Sequence, residues 1–167
     1  ISNAQFVHST DDVLMTVDSM PLIIVTSTAD GALNTLAGNG TCDLREAIEA
    51  ANTDVPVGEC AEGIAGTDTI TFAPNVTGTI TLTADTLTIR KSVTIQGPGA
   101  RVLTVSGNNA ARILSLFADG PVTINDLTMA NGNGVNPSGN GSGGAIYNRG
   151  SLTLNRSVVA NSMASQY

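Results

Sequence analysis

A short pattern that recurs at a fixed interval is the strongest constraint on how this chain folds. The segments Val93–Gln96, Val122–Asn125 and Leu152–Asn155 read V-T-I-Q, V-T-I-N and L-T-L-N, and they follow one another at intervals of 29 and 30 residues. The dipeptide A-N at 130–131 recurs at 160–161, again at an offset of 30. Self-similarity at a fixed period indicates stacked units that bury their apolar sides only against each other. The sequence therefore predicts an all-β fold, a parallel β-helix, rather than a β-sandwich with hairpin turns and longer alternation.

The composition agrees with a narrow solenoid. Among the 167 residues, aromatic side chains make up 3% and charged side chains 13%, and there are 18 glycines and no tryptophan. Such a chain suits an interior of stacked aliphatic and small polar residues better than a bulky globular core. Runs of β-forming residues, separated by Gly, Pro, Asn and Asp turn signals, predict strands over Leu22–Thr28, Thr69–Phe72, Gly78–Thr83, Thr86–Ile89, Ser92–Gln96, Val102–Ser106, Arg112–Phe117, Val122–Met129 and Ser151–Ala160.

One segment, residues 43–52, predicts a helix. Asp43 is a suitable N-cap, because its side-chain oxygen can accept from the free N–H groups of the first turn. Glu46, three residues later, can reach back to the N–H of Asp43 and complete a capping box. Apolar residues at i, i+3, i+4 and i+7 form a stripe along one face, namely Leu44, Ala47, Ile48 and Ala51. Because so short a helix is marginal alone, we expect it to lie as a lid on the end of the β-structure.

The same segment resembles a known family. The residues C-D-L-R-E-A at 42–47 are similar to the CSLREA motif, which is found near the N-terminus of secreted bacterial and archaeal surface proteins. The resemblance covers roughly Leu22 to Ser162, with Asp43 where the family usually has Ser, another N-cap residue. It implies a right-handed parallel β-helix in a large extracellular protein and no established chemistry. The motif residues expected to form the helix cap are Asp43, Leu44, Arg45, Glu46 and Ala47.

The two cysteines, Cys42 and Cys60, flank this helix and the loop after it. A zinc site is not expected, because there is no C-x-x-C pair and His8 lies far away in sequence. A disulfide that ties the helix to its return loop fits better than two free thiols, and it is similar to the family pattern. Closing that loop would stabilise the fold by about 3 kcal/mol. A disulfide would also place the protein in an oxidising compartment, secreted or at the cell surface.

Residues 1–20 form an N-terminal extension before the β-helix domain, which we assign to residues 21–167. Val13, Met15 and Val17 alternate with more polar positions and predict a strand. Asp18 and Pro21 interrupt the apolar stretch, so it does not predict a transmembrane helix, and the segment lacks a signal peptide pattern. Two alternatives remain open. The strand belongs to its own domain or to a tail, or it is donated to a neighbouring subunit.

Charge and motif content argue against several functions. The net charge of −7 disfavours nucleic acid and anionic lipid as partners. From Val93 onward the only acids are Asp119 and Asp126, so the paired carboxylates of polysaccharide hydrolases are missing. The sequence therefore predicts no enzyme, no cofactor and no metal. The Gly-rich loop at 132–144 is expected to be a flexible surface excursion, with contact to a sugar or calcium as the alternative.

Four N-x-S/T sequons offer candidate glycosylation sites. They begin at Asn39, Asn75, Asn140 and Asn155. Three of them fall in predicted loops, where a glycan is physically feasible. In a chain so rich in Asn, Ser and Thr, several sequons arise by chance.

The C-terminal part predicts an open end. Ser151–Ala160 reads as a full coil, and residues 163–167 supply no polar capping helix. Unpaired strand edges are templates for pairing with further chain. Later coils of a longer chain could cover them, as in an N-terminal domain of a large adhesin or of a carbohydrate-active β-helix enzyme. We instead expect another subunit to cover them, so that the protein is a head-to-tail homopolymer, an extracellular filament.

Overall fold

The computed structural model describes residues 22–135 and 142–164, so the predicted strand at 13–17 lies outside the described residues. These described residues contain two helices, α1 (Leu33–Leu36) and α2 (Leu44–Thr53). The strands are β1 (Leu22–Val25), β2 (Asp68–Phe72), β3 (Gly78–Thr81), β4 (Leu87–Ile89), β5 (Val93–Gln96), β6 (Leu103–Ser106), β7 (Leu114–Leu116), β8 (Pro121–Asn125), β9 (Thr128–Ala130), β10 (Ile146–Asn148), β11 (Ser151–Asn155) and β12 (Val158–Ala160).

The strands form three parallel sheets. Sheet 1 has the order β1-β2-β5-β8-β11, sheet 2 the order β3-β6-β9-β12, and sheet 3 the order β4-β7-β10. After each strand of sheet 1, from β2 to β8, the chain passes through sheet 2 and sheet 3 before it returns to sheet 1 one coil further on. The predicted parallel β-helix is therefore confirmed, and the sequence repeat is the structural coil, since Val93 pairs with Val122 and Val122 with Leu152.

Alternating side chains explain why these segments stack. In sheet 1 the inward column runs through Ile23, Ile70, Ile95 and Ile124, all of them buried. Outward positions of the same strands, from β2 onward, hold mainly Thr, which is β-branched and suits a pleated, solvated face. Each fully buried aliphatic side chain contributes about 1.5–3 kcal/mol. In the core, each aliphatic side chain thus stacks on the equivalent side chain of the next coil. The low aromatic content of the sequence agrees with such a narrow interior.

Left-handed corner residues divide two segments that the sequence predicted as continuous strands. Val122–Met129 and Ser151–Ala160 are each two strands, in sheet 1 and sheet 2. Asp126 and Arg156 separate them, with φ of 54° and 47°. The apolar alternation resumes after each corner, so the pattern alone does not reveal the break. Asn131 and Asn161 are also left-handed, with φ of 56° and 50°, and mark the corner after sheet 2.

Side-chain amides form a ladder at one of two corners. The Nδ2 group of Asn155 donates to Asn125 Oδ1 at 2.9 Å, and that of Asn125 donates to Gln96 Oε1 at 3.1 Å. At the other corner, Asn131 donates to Ser106 Oγ at 3.3 Å instead of stacking on Asn161. Asn131 and Asn161 therefore have the same backbone conformation without a bond between their side chains. Hydrogen bonds between side chains connect Gln96, Asn125 and Asn155 in a row.

Two short elements were not predicted. Helix α1 lies in a segment for which no element was predicted, and β10 directly follows the Gly-rich loop at 132–144. Both span three or four residues, which is too short for a periodic signal. The predicted first strand, Leu22–Thr28, ends earlier, at Val25, and the other predicted strands differ from the observed ones by no more than three residues at either end.

Candidate functional site

The capping box at the start of α2 is present. Asp43 is the N-cap, and its N–H donates to Glu46 Oε2 at 3.1 Å. The Asp43 carboxylate faces the first turn in the capping-box arrangement and also accepts from Asn39 Nδ2 at 2.8 Å. The predicted apolar stripe is buried, and it includes both Leu44 and Ala47. Helix α2 packs on β1, β2 and β4, so it covers the N-terminal end of the solenoid as expected for a lid.

Arg45 ties the lid to the first corner of the solenoid. Its guanidinium binds the Asp30 carboxylate through two nitrogens, at 2.8 Å and 3.1 Å. The Asp30 side chain is only 2% exposed. Its Oδ2 also accepts from the backbone N–H groups of Thr83 and Ala84, at 2.8 Å and 3.2 Å. Asp30 thus satisfies backbone donors just beyond β3, and Arg45 neutralises the buried charge that does so.

Asn52 takes the place of a neighbouring strand at the edge of β4. Its Nδ2 donates to the carbonyl of Thr88, and its Oδ1 accepts from the N–H of Arg90, both at 2.8 Å. One side-chain amide therefore makes the two bonds that a backbone would make along this edge. Because unpaired edges invite pairing with other chains, Asn52 closes sheet 3 at its N-terminal side.

The predicted disulfide between Cys42 and Cys60 is present, with Cα atoms 4.7 Å apart. It joins the residue before the N-cap to the return loop, and both cysteines are buried. Glu46 is fully buried beneath this loop, where it contacts the position of Gly58. Desolvation raises the pKa of the Glu46 carboxyl, and the nearby charges of Asp43 and Glu59 act in the same direction, against the hydrogen bond from the Asp43 N–H.

A second buried acid lies where the return loop enters β2. Asp68 is fully buried, and its Oδ1 accepts from the N–H of Ile64 at 2.8 Å. Its Oδ2 has no partner among the described residues. Desolvation raises the pKa of the Asp68 carboxyl, and the bond from Ile64 opposes that shift. At the N-terminal end of the solenoid, Glu46 and Asp68 are thus two buried carboxyl groups whose pKa values are raised by desolvation.

At the opposite end of the solenoid, none of the described residues covers the last coil. In the last coil, Leu154 is 39% exposed and Val159 is 46% exposed, whereas their register partners one coil earlier, Ile124 and Met129, are fully buried. Val158 and Met163 are also about half exposed, at 47% and 53%. Leu154 and Val159, whose register partners lie in the core, are therefore exposed at the end of the last described coil, beside the edges of β11 and β12 that have no partner among the described strands.

A second exposed apolar area lies on β1. Leu22 and Ile24 are 45% and 43% exposed on the outward face of sheet 1. Their register partners on β2 are Thr69 and Thr71, and the remaining strands of the sheet hold Thr, Gln or Asn at the aligned positions. On the described strands of sheet 1, apolar outward residues at these positions thus occur only on β1.

Three of the four sequons lie in the described part of the chain, and Asn140 lies outside it. Asn39, Asn75 and Asn155 are exposed. Asn39 bonds Asp43 of the lid, as described above, and its Oδ1 accepts from the N–H of Thr41 at 2.8 Å. Asn155 belongs to the ladder. Asn75 makes a long bond, 3.4 Å, to the carbonyl of Thr26. Of these three side-chain amides, that of Asn75 makes the weakest hydrogen bond to the rest of the fold.

The Gly-rich loop is anchored at its C-terminal side. Arg112 donates to the carbonyls of Ser142 and Gly143, at 2.6 Å and 2.8 Å, and its guanidinium lies 5.2 Å from the centre of the Tyr147 ring. Both bonds go to backbone, so Arg112 holds the loop in place. The sugar or calcium contact considered for this loop stays a prediction.

The charged groups of the described surface are largely engaged in the fold. A cleft of about 280 Å³ beside α2 contains Arg45, which binds Asp30, and Arg90, which lies 3.3 Å from Glu49. Near the open end, Asp126 binds Arg156 and accepts from Gln96 at 2.8 Å. The hydrogen bond from Arg156 and, to a smaller extent, the hydrogen bond from Gln96 lower the pKa of the Asp126 carboxyl.

Residues 22–135 and 142–164 include no group of three or more His, Cys, Asp or Glu side chains that could hold a metal ion. In the same part of the chain, neither helix is long and apolar enough to cross a bilayer. Comparisons with family models, with curated proteins and with solved structures found no match. The resemblance to the CSLREA family and the absence of enzymatic activity therefore stay predictions.

Proposed function

We propose that this protein is a non-enzymatic subunit of an extracellular filament, in which copies join head to tail through the N-terminal strand and the open C-terminal coil. The observation that carries the proposal is the contrast between the two ends. The first coil is closed by α2, a disulfide and Asn52, whereas the last described coil exposes Leu154 and Val159. Soluble proteins rarely leave apolar core positions and strand edges open together, and such surfaces mark interaction sites.

A second copy of this chain is a suitable partner for the open end. Its predicted strand at Val13, Met15 and Val17 offers the apolar alternation that an added β-strand needs. Because the contact joins two different surfaces, it repeats without closing and generates a fibre when the rotation does not form a ring. The Cys42–Cys60 disulfide supports an oxidising, extracellular compartment.

Deletion of residues 1–20 tests the donated strand. We expect a folded monomer that gives no fibres by electron microscopy, with thermal unfolding and circular dichroism showing that the β-helix is intact. A matched pair of full-length variants sharpens the test. Replacing Val13, Met15 and Val17 by Ser should abolish assembly, whereas replacing the alternate residues Leu14 and Thr16 by Ser should not. If the deletion variant forms fibres normally, residues 1–20 are not needed for assembly and the donated strand is wrong.

The same open end also fits a domain whose later coils belong to the same chain, as in a large adhesin or a carbohydrate-active enzyme. The intact mass of the native protein, measured beside its electron micrographs, distinguishes the two. Fibres built from a chain of about this length support the filament. Dispersed particles of a much heavier chain support the domain, and acidic residues stacked in its later coils would point to the enzyme.

A further inference from the structure

Two aromatic side chains lie side by side on the outward face of sheet 3. The described residues contain three aromatic side chains, and Phe72 is buried, whereas Phe117 is 46% exposed and Tyr147 is partly exposed. The centres of the Phe117 and Tyr147 rings are 5.9 Å apart, with 56° between the ring planes. Single exposed apolar side chains are common on proteins, but a pair of exposed rings in so aromatic-poor a chain marks an interaction surface.

The register of sheet 3 places an arginine on each side of Phe117. The aligned residues Ile89 and Leu116 point into the core, so the residues that follow them point outward. Continuing the register by one residue brings Arg90, Phe117 and Arg149 into one outward row. The backbone bonds continue with it, since the N–H groups of Phe117 and Arg149 donate to the neighbouring strands at 2.9 Å and 3.0 Å. Because neighbouring strands lie about 4.8 Å apart, the aromatic ring lies between two guanidinium-bearing side chains.

The positive charge of this face is only partly neutralised. Arg90 lies 3.3 Å from Glu49, but the ion pairs within residues 22–135 and 142–164 include neither Arg112 nor Arg149. The Arg112 guanidinium lies over the Tyr147 ring and adds a further cation beside the two aromatic rings. Two other acids flank the face in bends outside β4 and β7, namely Asp85 and Asp119. An anionic partner is therefore favoured on this face, although the whole chain carries a net charge of −7.

The size and make-up of the face fit a sugar chain better than a protein surface. Its apolar part is two rings, and the side chains next to them on the sheet are polar, as at the partly exposed Thr88 and the exposed Asn148. A stable protein interface buries about 800 Å² on each partner around several apolar anchors, which two rings do not provide. A sugar ring needs only one aromatic ring against its apolar C–H face, with polar side chains at its hydroxyl edges. The unpaired guanidinium groups select a sugar chain that carries carboxylates.

We propose that the outward face of sheet 3 binds a carboxylated oligosaccharide, with a sugar ring against Phe117 and Tyr147 and a carboxylate on Arg149. The face lies on the side of the solenoid, so the site does not depend on what covers either end. Copies that stack along the solenoid axis leave it exposed. In a filament the site would repeat at every subunit, and a long glycan could then bind several copies at once.

Binding to the full chain, measured by isothermal titration calorimetry at low salt, tests this site. The probe is a short oligogalacturonate, and its methyl-esterified form, which keeps the sugar rings and loses the charge, is the matched control ligand. Phe117→Thr and Arg149→Ser should each weaken binding about five- to tenfold, because each removes one contact to the sugar chain. Arg101→Ser removes an exposed arginine outside sheet 3 and should leave binding unchanged. Circular dichroism checks that every variant keeps the β-helix.

Oligogalacturonate that binds several-fold more tightly than its ester, with losses confined to the two sheet 3 variants, supports the site. An equal loss from Arg101→Ser would mean general attraction to positive charge and would overturn it. Equal affinity for the ester overturns the carboxylate contact, and equally tight binding of polyglutamate assigns the face to acidic peptides instead of glycans. If neither oligogalacturonate nor its ester binds, the inference is wrong. None of these outcomes bears on fibre formation, so the site and the proposed function are tested separately.

Discussion

At the scale of single residues, the lid depends on a close contact between Gly58 and the buried Glu46. Gly58 has φ of +56°, and a methyl group there would overlap Glu46 Oε1. We expect Gly58→Ala to lower the free energy of unfolding by about 2–4 kcal/mol, because a left-handed backbone cost adds to the overlap. Gly38, with φ of +83° and nothing within 4 Å, is the control. Gly38→Ala should show the backbone cost alone, about 1 kcal/mol. If both variants lose the same free energy of unfolding in urea titrations, the contact between Gly58 and Glu46 does not contribute to stability.

Arg45 and Arg90 make ion pairs of very different burial. The side chains of Arg45 and Asp30 are 11% and 2% exposed, and those of Arg90 and Glu49 are 56% and 31% exposed. Arg45→Met should cost about 3 kcal/mol, because it leaves a buried carboxylate without its counter-ion. Arg90→Met should cost less than about 1 kcal/mol. Chemical denaturation of the two variants measures the difference, and a comparable cost for both would contradict the role of Arg45 in the lid.

The sequence predicted interactions between residues that are close in the chain, and it did not predict interactions between residues that are far apart in the chain. The capping box and the apolar stripe follow from short spacings, and each is present. Asp30 and Asn52 were not predicted. Their partners lie 53–54 and 36–38 residues away, so no local pattern marks them. Only the fold brings them to the strand edges that they satisfy.

At the scale of elements, α2 and its return loop form one unit that the disulfide closes. Reducing Cys42–Cys60, or replacing both cysteines by Ser, should lower stability by about 3 kcal/mol, because the loop regains its entropy in the unfolded chain. The change should appear first in α2, as faster amide hydrogen exchange of residues 44–53 than of β5 or β8. Uniform exchange across all of these elements would show that the lid is not a separate unit.

Buried carboxyl groups should make the lid sensitive to pH. The pKa values of Glu46 and Asp68 are raised from 4.5 and 3.8, the values for the unperturbed groups. The folded state therefore binds protons more tightly than the unfolded state, and stability falls as pH rises from about 4 through the raised values. Glu46→Gln should stabilise the protein at neutral pH and flatten this dependence. Glu49→Gln, on the partly exposed face of α2, is the control, and denaturation from pH 4 to 8 is the measurement.

Strand boundaries were the least predictable feature of the elements. The sequence merges β8 with β9 and β11 with β12, because alternation continues through the left-handed residues Asp126 and Arg156. Asp and Asn adopt the left-handed conformation more readily than other residues, whereas an Arg in the sequence gives no indication of such a corner. The coil repeat nevertheless reveals the architecture, since a period of about 30 residues survives errors of one or two residues at each boundary.

At the scale of the whole molecule, charge is distributed unevenly along the solenoid, with a net charge of −7 over residues 22–72 and of +3 over residues 73–164. Head-to-tail assembly should therefore depend on salt. Exposed charges are screened beyond about 8 Å at physiological ionic strength. We expect elongation, followed by light scattering, to slow several-fold between 20 mM and 500 mM NaCl, while the fibres that form keep their structure. Arg149→Glu, at an exposed position next to β11, should slow elongation at low salt and weaken this dependence. An elongation rate independent of salt would contradict a steering role for the charge polarity.

The axial rise per subunit in the filament tests the central claim most directly. If copies stack head to tail along the solenoid axis, each subunit adds the five strands of sheet 1 at about 4.8 Å together with the lid, and electron cryo-microscopy should give a rise of at least about 24 Å. A donated strand inserted between β11 and β1 would add a sixth strand and a rise of about 29 Å. A rise well below about 24 Å, which would mean side-by-side packing, or the absence of ordered fibres from the purified chain, would contradict head-to-tail stacking along the solenoid axis.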